Sequence, residues 1–311
     1  MNGPFAVGSD IGGSHISCAL IDMGSHSIIE KSFTQLSVDN KGSADEIISS
    51  WCRAISECLQ KGNVSETVGI GLAMPGPFDY VKGIGMFEGV DKFDNLNGVD
   101  VADAIRSGLQ LSPGVSVRFM NDATSFAVGA VWSDDALEKQ HVLAITLGTG
   151  FGSAFIMESL PVLEDERVPE MGCVYHLPFK EGIADDTFST RGMIRSYRNR
   201  SGQTVNGVKE IADLAKTDPE AAATFQQFGN ELAGFLSPWI QSAEITQIIM
   251  GGNVAKAYKL FQTDFESELE RAGLNVNVKI LADTDLMAIL GSGRLADEHY
   301  YQKVLPLLKF M

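Results

Sequence analysis

The sequence predicts an α/β protein built from two related lobes, and three observations carry that expectation. Strand and helix signals alternate along the chain, the pattern of α/β architecture. The ten residues Ile11 to Leu20 align with Leu147 to Ile156 at a constant offset of 136 residues, and both stretches read as strand, glycine turn, strand. The 311 residues, 44% hydrophobic and 21% charged, can fill one large or two coupled cores and lack the bias of a disordered chain. Two copies of a phosphate-sized glycine hairpin imply two lobes facing each other across a central cleft, with a nucleotide between them. The expected division is a first lobe over residues 1–120 and a larger second lobe over 121–287. Residues 288–311 should return to the first lobe as a helix, because Leu295, Leu305, Leu307 and Leu308 need a covering surface.

The elements follow in order. Phe5 to Asp22 reads as a β-hairpin around Gly12-Gly13. Ser43-Ala44-Asp45-Glu46 is a capping box, and Ile47, Ile48, Trp51, Ile55 and Leu59 fall at helical spacing behind it. A strand is expected over Thr67 to Ala73. Pro75 to Gly98 is rich in Gly, Asp, Asn and Phe without periodicity, so it reads as a long structured loop of the kind that carries binding residues. Strands are expected at Val115 to Met120 and Val142 to Leu147, with a helix over Ala123 to Trp132. Phe225, Phe228, Leu232, Phe235 and Leu236 mark a buried helix between Glu220 and Gln241. Gln247 to Met250 reads as a short strand that runs into Gly251-Gly252.

Charge and cysteine content narrow the function. With 24 Lys plus Arg against 40 Asp plus Glu the formal charge is −16, which argues against a nucleic-acid groove or an anionic membrane surface. An anionic nucleotide is still compatible, because backbone amides and a bound metal set a local field opposite to the global one. Cys18, Cys52, Cys58 and Cys173 form no CxxC pair, and no stretch reads as a targeting signal or a membrane span, so a reducing cytoplasm is the expected compartment.

Asp10-Ile11-Gly12-Gly13-Ser14 places a carboxylate ahead of a turn without bulky side chains. Phosphates can approach the amides of such a turn while Asp10 reaches a hydrated magnesium ion; a plain two-glycine turn is the alternative reading. Further along come Gly71-Leu72-Ala73-Met74-Pro75-Gly76-Pro77, Asn95-Leu96-Asn97-Gly98, Asn121-Asp122-Ala123, Leu147-Gly148-Thr149-Gly150-Phe151-Gly152 and Met250-Gly251-Gly252-Asn253. In this order, over about Val7 to Leu295, the chain resembles the ROK family of sugar kinases and sugar-responsive repressors, within the actin, hexokinase and Hsp70 group of the ribonuclease H-like ATPase fold.

That resemblance implies roles. Asp10, Gly12, Gly13 and Ser14 look like the first phosphate motif, with Ser14 where the family usually has threonine. Gly148, Thr149, Gly150 and Gly152 look like the second, and Gly251 and Gly252 like the adenosine motif. Gly76, Asn95 and Asn121 look like sugar-side positions, and Asp122 like the catalytic base. Asn121-Asp122 is also a good helix-capping pair. ATP and Mg2+ are the implied cofactors, a small-molecule sugar the partner, and a homodimer the expected assembly.

The sequence leaves the pattern at one place. The family's Gly-Glu-x-Gly-His string and its zinc-holding CxCGxxGCxE cluster correspond here to Pro169-Glu170-Met171-Gly172-Cys173-Val174-Tyr175-His176 and Asp185-Asp186-Thr187-Phe188-Ser189. Glu170 matches the sugar-binding glutamate, Cys173 takes the histidine position, and Asp185 stands at the second sugar-contacting glutamate. His176 reads either as a contact to the anomeric end or as a packing histidine. One thiolate and one histidine cannot close a tetrahedral site, so no structural zinc is expected. The reading is thus an ATP-dependent hexokinase-type enzyme acting on the 6-hydroxyl of a hexose or N-acetylhexosamine. The competing reading is a non-catalytic sugar regulator, whose family members carry a helix-turn-helix ahead of the first phosphate motif; with Asp10 tenth in the chain, the sequence leaves no room for one.

Overall fold

The computed structural model describes residues 4–64, 67–90 and 92–311. It divides into two compact units: residues 1–138 with 159–161 and 285–311, and residues 139–158 with 162–284. The division falls after residue 138, and not after 120, and the first unit is the larger of the two. The reason lies in helix α3 (Asp122–Trp132), whose residues Ala123 to Val131 are all buried. A helix buried on every side has no periodic face from which its partner could be read.

The first unit is built on β1 (Phe5–Ile11), β2 (His15–Asp22), β3 (Thr34–Ser37), α1 (Ala44–Gly62), β4 (Gly69–Met74), α2 (Val101–Gly108), β5 (Ser116–Asn121) and α3. β2 pairs antiparallel with β1 and β3, while β1, β4 and β5 run parallel in that order. The inner strands β1 and β4 are buried on both faces, which is why they read as near-continuous apolar runs such as Phe5-Ala6-Val7 and not as an alternation. α1 starts at the predicted capping box, with both Ser43 and Glu46 bonds formed. The loop from Pro75 to Gly98 is anchored by aromatics: Phe78, Phe87, Phe93, Phe119 and Trp51 are buried and stack in a chain of rings 5.0–6.1 Å apart. That cluster explains an ordered loop without periodicity.

The second unit carries β6 (Val142–Leu147), β7 (Phe151–Met157), α4 (Thr190–Ser201), α5 (Pro219–Ser242), β8 (Gln247–Gly251), α6 (Gln262–Arg271) and β9 (Asn277–Ile280). β6 pairs antiparallel with β7 and parallel with β8, just as β1 pairs with β2 and β4. The internal repeat is therefore one of topology. It is not a repeat of turn length: Ile11 faces Ile16 in the first hairpin, but Leu147 faces Phe151 in the second, a turn one residue shorter. Phe225, Phe228, Leu232 and Leu236 of α5 are buried against Phe188, Phe261 and Phe265, while Phe235 is half-buried.

The return segment is not one helix over 288–311. It forms α7 (Thr284–Gly293), a 3-10 turn Arg294–Ala296, α8 (Glu298–Val304) and a final turn Leu308–Phe310. Asp297 interrupts it by capping α8, accepting from the amides of His299 and Tyr300, and Pro306 cannot continue that helix. α7 lies directly on the backbone of the first unit. A Cβ on Gly8 would sit 1.9 Å from the Ile289 carbonyl oxygen, one on Gly71 1.8 Å from that of Ser292, and one on Gly129 1.9 Å from that of Met287. The Ser292 hydroxyl accepts from the Ser9 amide and lies within hydrogen-bonding reach of the Ser9 carbonyl, both at 3.1 Å. Arg118 bonds the Leu295 carbonyl, and its guanidinium lies 3.6 Å from the Tyr301 ring centre.

Candidate active site

In the first unit, parallel pairing sets the site. Asp10 is in register with Ala73, and Met74 with Asn121, so Asp10, the turn toward Gly76, and Asn121-Asp122 lie along the carboxyl edge of three adjacent strands. That edge is where open α/β sheets place their ligands. Burial pushes the Asp10 carboxyl well above the usual range, and the charges of Asp285 and Asp122 push it further. Asp122 is raised as well, chiefly by burial; the amide of Ala123, 2.8 Å from its Oδ1, and the charge of Lys92 act in the opposite sense.

Asn121 is a helix cap. Its Oδ1 accepts from the Thr124 amide at 3.2 Å, and its Nδ2 reaches the Tyr80 hydroxyl, which donates to the Met74 carbonyl at 3.0 Å. Gly76 is exposed beside Tyr80. Asn95 is exposed, and its Nδ2 is engaged with the carbonyls of Lys41 and Gly42 at 3.1 and 2.8 Å, while its Oδ1 has no hydrogen-bond partner among the described residues. Gly12 and Gly13 form the turn between β1 and β2, closed by the Gly12 amide on the His15 carbonyl at 2.9 Å; the exposed Ser14 follows, its hydroxyl 3.4 Å from His15 Nδ1. The His15 ring covers Gly12, and the end of the Lys92 side chain lies beside Gly13. Asp285, His15 and Lys92 escaped the sequence reading. His15 Nε2 stands 3.8 Å from Asp285 Oδ2, a contact across 270 residues that no local pattern announces.

In the second unit the remaining glycines converge. Gly252 has φ +92°, and a Cβ there would lie 2.3 Å from the Leu147 carbonyl oxygen, so only glycine lets the end of β8 pass against the turn Gly148-Thr149-Gly150. The Val254 amide bonds that same carbonyl at 2.9 Å, and the Gly252 amide bonds Thr284 Oγ1 at 2.7 Å. Gly148, Thr149, Gly150, Gly152, Gly251 and Gly252 thus form one glycine-lined patch. Glu170 is exposed at the start of the turn Glu170–Gly172, in which Met171 has φ +62°. His176 is half-buried, with Nδ1 3.7 Å from Cys173 Sγ, and burial pushes that thiol up to about 12. Asp185, expected at a sugar-contacting position, is engaged within the protein: Oδ1 accepts from the Phe151 amide at 2.6 Å and Oδ2 pairs with Arg191.

In each unit the glycine turn can present amides to a phosphate, and in the first unit Asp10, repelled by its acidic neighbours, gains from a nearby cation. Among the described residues no group of three or more His, Cys, Asp or Glu could hold a metal ion by itself, and a magnesium carried in on phosphates needs few protein ligands. Nor is any helix among the described residues long and apolar enough to cross a membrane.

Comparison with known proteins gives the family. The ROK family sequence model matches residues 6–283. The N-acetyl-D-glucosamine kinase of Haemophilus influenzae is 24% identical over 279 residues, 82% of this chain and 86% of its own. Among solved structures, the ROK hexokinase of Thermus thermophilus superposes with a TM-score of 0.76 at 18% identity, covering 96% of this chain and 99% of its own. The ROK glucokinase of Streptomyces griseus, in complex with glucose and AMPPNP, superposes with a TM-score of 0.72 at 19% identity, covering 94% and 98%. The fold is that of the actin-like ATPases.

Proposed function

The chain belongs to the ROK family, and from that premise we propose that it is a sugar kinase that transfers the γ-phosphoryl group of ATP to a hydroxyl, the 6-hydroxyl, of a hexose or N-acetylhexosamine. The observation that carries the reading is the pair Asp10 and Asp122 at the carboxyl edge of the first unit's sheet, both with carboxyls raised by burial. A sugar hydroxyl is a poor nucleophile. A carboxylate whose proton affinity has been raised by desolvation is a better base than one in water, and Asp122, oriented by the Ala123 amide on Oδ1, can accept the hydroxyl proton. Asn95 Oδ1 in the first unit, and separately Glu170 and His176 in the second, are polar groups of the kind a neutral sugar requires. Asp10 would orient the hydrated magnesium, and each unit's glycine turn, Gly12-Gly13 in the first and Gly148–Gly150 in the second, is suited to hold a phosphate. When bound, magnesium ATP supplies the phosphoryl group and neutralises charge as it moves.

A panel of hexoses and N-acetylhexosamines in a coupled assay of ADP release tests the proposal, with saturable release on at least one of them expected. A protein that binds sugar and nucleotide but releases no ADP with any sugar would be a regulator and not a kinase.

The raised Asp122 carboxyl has a pH signature. The base works only when ionised, so kcat/KM should fall on the acid side through a limb lying above the ordinary aspartate value of 3.8. A pH profile of kcat/KM that stays flat down to that value would exclude a desolvated aspartate as base.

A further inference from the structure

One short stretch of chain grips the second glycine turn at both ends. Thr190 donates its backbone amide and its Oγ1 hydroxyl to the Gly148 carbonyl, each at 2.8 Å. Asp185 Oδ1 accepts from the Phe151 amide at 2.6 Å on the far side of the turn, and a Cβ on Gly150 would lie 3.3 Å from that same oxygen. The second carboxylate oxygen of Asp185 pairs with Arg191, which also reaches Asp186 Oδ1 at 3.3 Å. The stretch itself is tightly packed: Phe188 and Ser189 are fully buried, and Gly192 packs so closely on the preceding turn that a Cβ would lie 2.2 Å from the Thr187 carbonyl oxygen. It is also tied to the segment that holds His176, through the Asp185 amide on the Tyr175 carbonyl at 3.0 Å and the Ala184 amide on the Leu177 carbonyl at 2.9 Å.

We propose that Asp185 and Thr190 are positioning residues for the nucleotide, a two-point clamp that fixes the amide directions of the Gly148–Gly152 turn, with Asp185 serving that turn and not the sugar. The inference rests on the reading of this turn as a phosphate site. An amide-lined turn binds phosphate well only if its N–H groups already point inward when the phosphate arrives, because glycines otherwise have wide conformational freedom to lose. Thr190 holds the Gly148 carbonyl at one end of the turn, Asp185 holds the Phe151 amide toward the other, and Arg191 orients the Asp185 carboxylate by charge. The residue position that the family resemblance gave to the sugar has here both oxygens engaged within the protein.

The test uses Asp185→Asn, which keeps the shape but weakens the grip on the Phe151 amide and breaks the ion pair, and Thr190→Val, which removes only the hydroxyl bond. Binding of magnesium ADP to each full chain is measured by calorimetry, with circular dichroism to confirm folding, and KM is measured separately for ATP and for sugar. The expected result is a magnesium ADP Kd and an ATP KM raised about tenfold for Asp185→Asn and a few-fold for Thr190→Val, with the sugar KM unchanged. A raised sugar KM with nucleotide binding intact would return Asp185 to the sugar and overturn the clamp. Nucleotide binding unchanged in both variants would overturn the clamp alone, whereas a wild-type chain that binds no magnesium ADP would overturn the phosphate reading and the clamp with it.

Discussion

Replacing Asp122 with asparagine is expected to lower kcat by about 10²–10⁴-fold while leaving sugar affinity and fold intact. The amide side chain has nearly the same shape, can still accept from the Ala123 amide, and can still bond a sugar hydroxyl, but it cannot take up the proton. Stability gives an independent sign. The folded-state carboxyl of Asp122 is raised above its ordinary value by burial, so ionisation at neutral pH opposes folding: stability falls as pH rises from the unfolded to the folded pKa and stays lower above it. Asparagine carries no such charge, and the variant should melt at the same temperature as wild type or higher at pH 7. If Asp122 served only to start α3, full activity would survive, since Asn is a comparable capping residue. A calorimetric scan beside a kcat measurement separates the outcomes.

The second large effect concerns stability. Gly71→Ala should destabilise the protein by about 3 kcal/mol or more, because its Cβ would lie 1.8 Å from the Ser292 carbonyl oxygen and 2.4 Å from the carbon bonded to it. Neither atom belongs to a flexible side chain, so either α7 must lift or β4 must bend. Gly98, where a Cβ would meet nothing within 4 Å but φ is +76°, is a useful contrast: alanine there is strained only locally and should cost less. Equal melting temperatures for the two variants would show that α7 accommodates the methyl group by sliding.

Much of the fold could be read because its signals are local. The capping box at Ser43, the glycine hairpin at Gly12-Gly13 and the helical spacing through Phe225 and Phe228 each express a short-range preference that tertiary packing then confirms. The boundary at 138 and the break in the return segment could not be read in this way. α3 is buried on all sides, and the surface for α7 is made by the absence of side chains at Gly8, Gly71 and Gly129, which propensity reads as weakness in a strand or helix rather than as contact. For the candidate site, the ordered motifs pointed to Asp10, Asp122 and the glycine turns. Asp285 and His15 meet only in the folded chain, and Asp185, chosen by alignment with a pattern, has its carboxylate engaged by Phe151 and Arg191. A motif fixes where a residue type stands, and the neighbours that compete for its hydrogen bonds lie elsewhere in the sequence.

The return of residues 285–311 to the first unit also sets an order of biosynthesis. As the chain emerges from the ribosome, β1, β4 and α3 appear early, with Gly8, Gly71 and Gly129 bare, and the backbone that covers them at Met287, Ile289 and Ser292 appears only after the whole second unit has been made. At about 5–20 residues per second that interval lasts on the order of ten seconds or more. During it the second unit, nearly continuous in the chain, can close its own core, while the sheet edge that carries Asp10 and Asp122 waits half-covered. The half of the molecule that carries Asp10 and Asp122 is thus the last to be covered, and Asp285 joins Asp10 only with the arrival of the final helices.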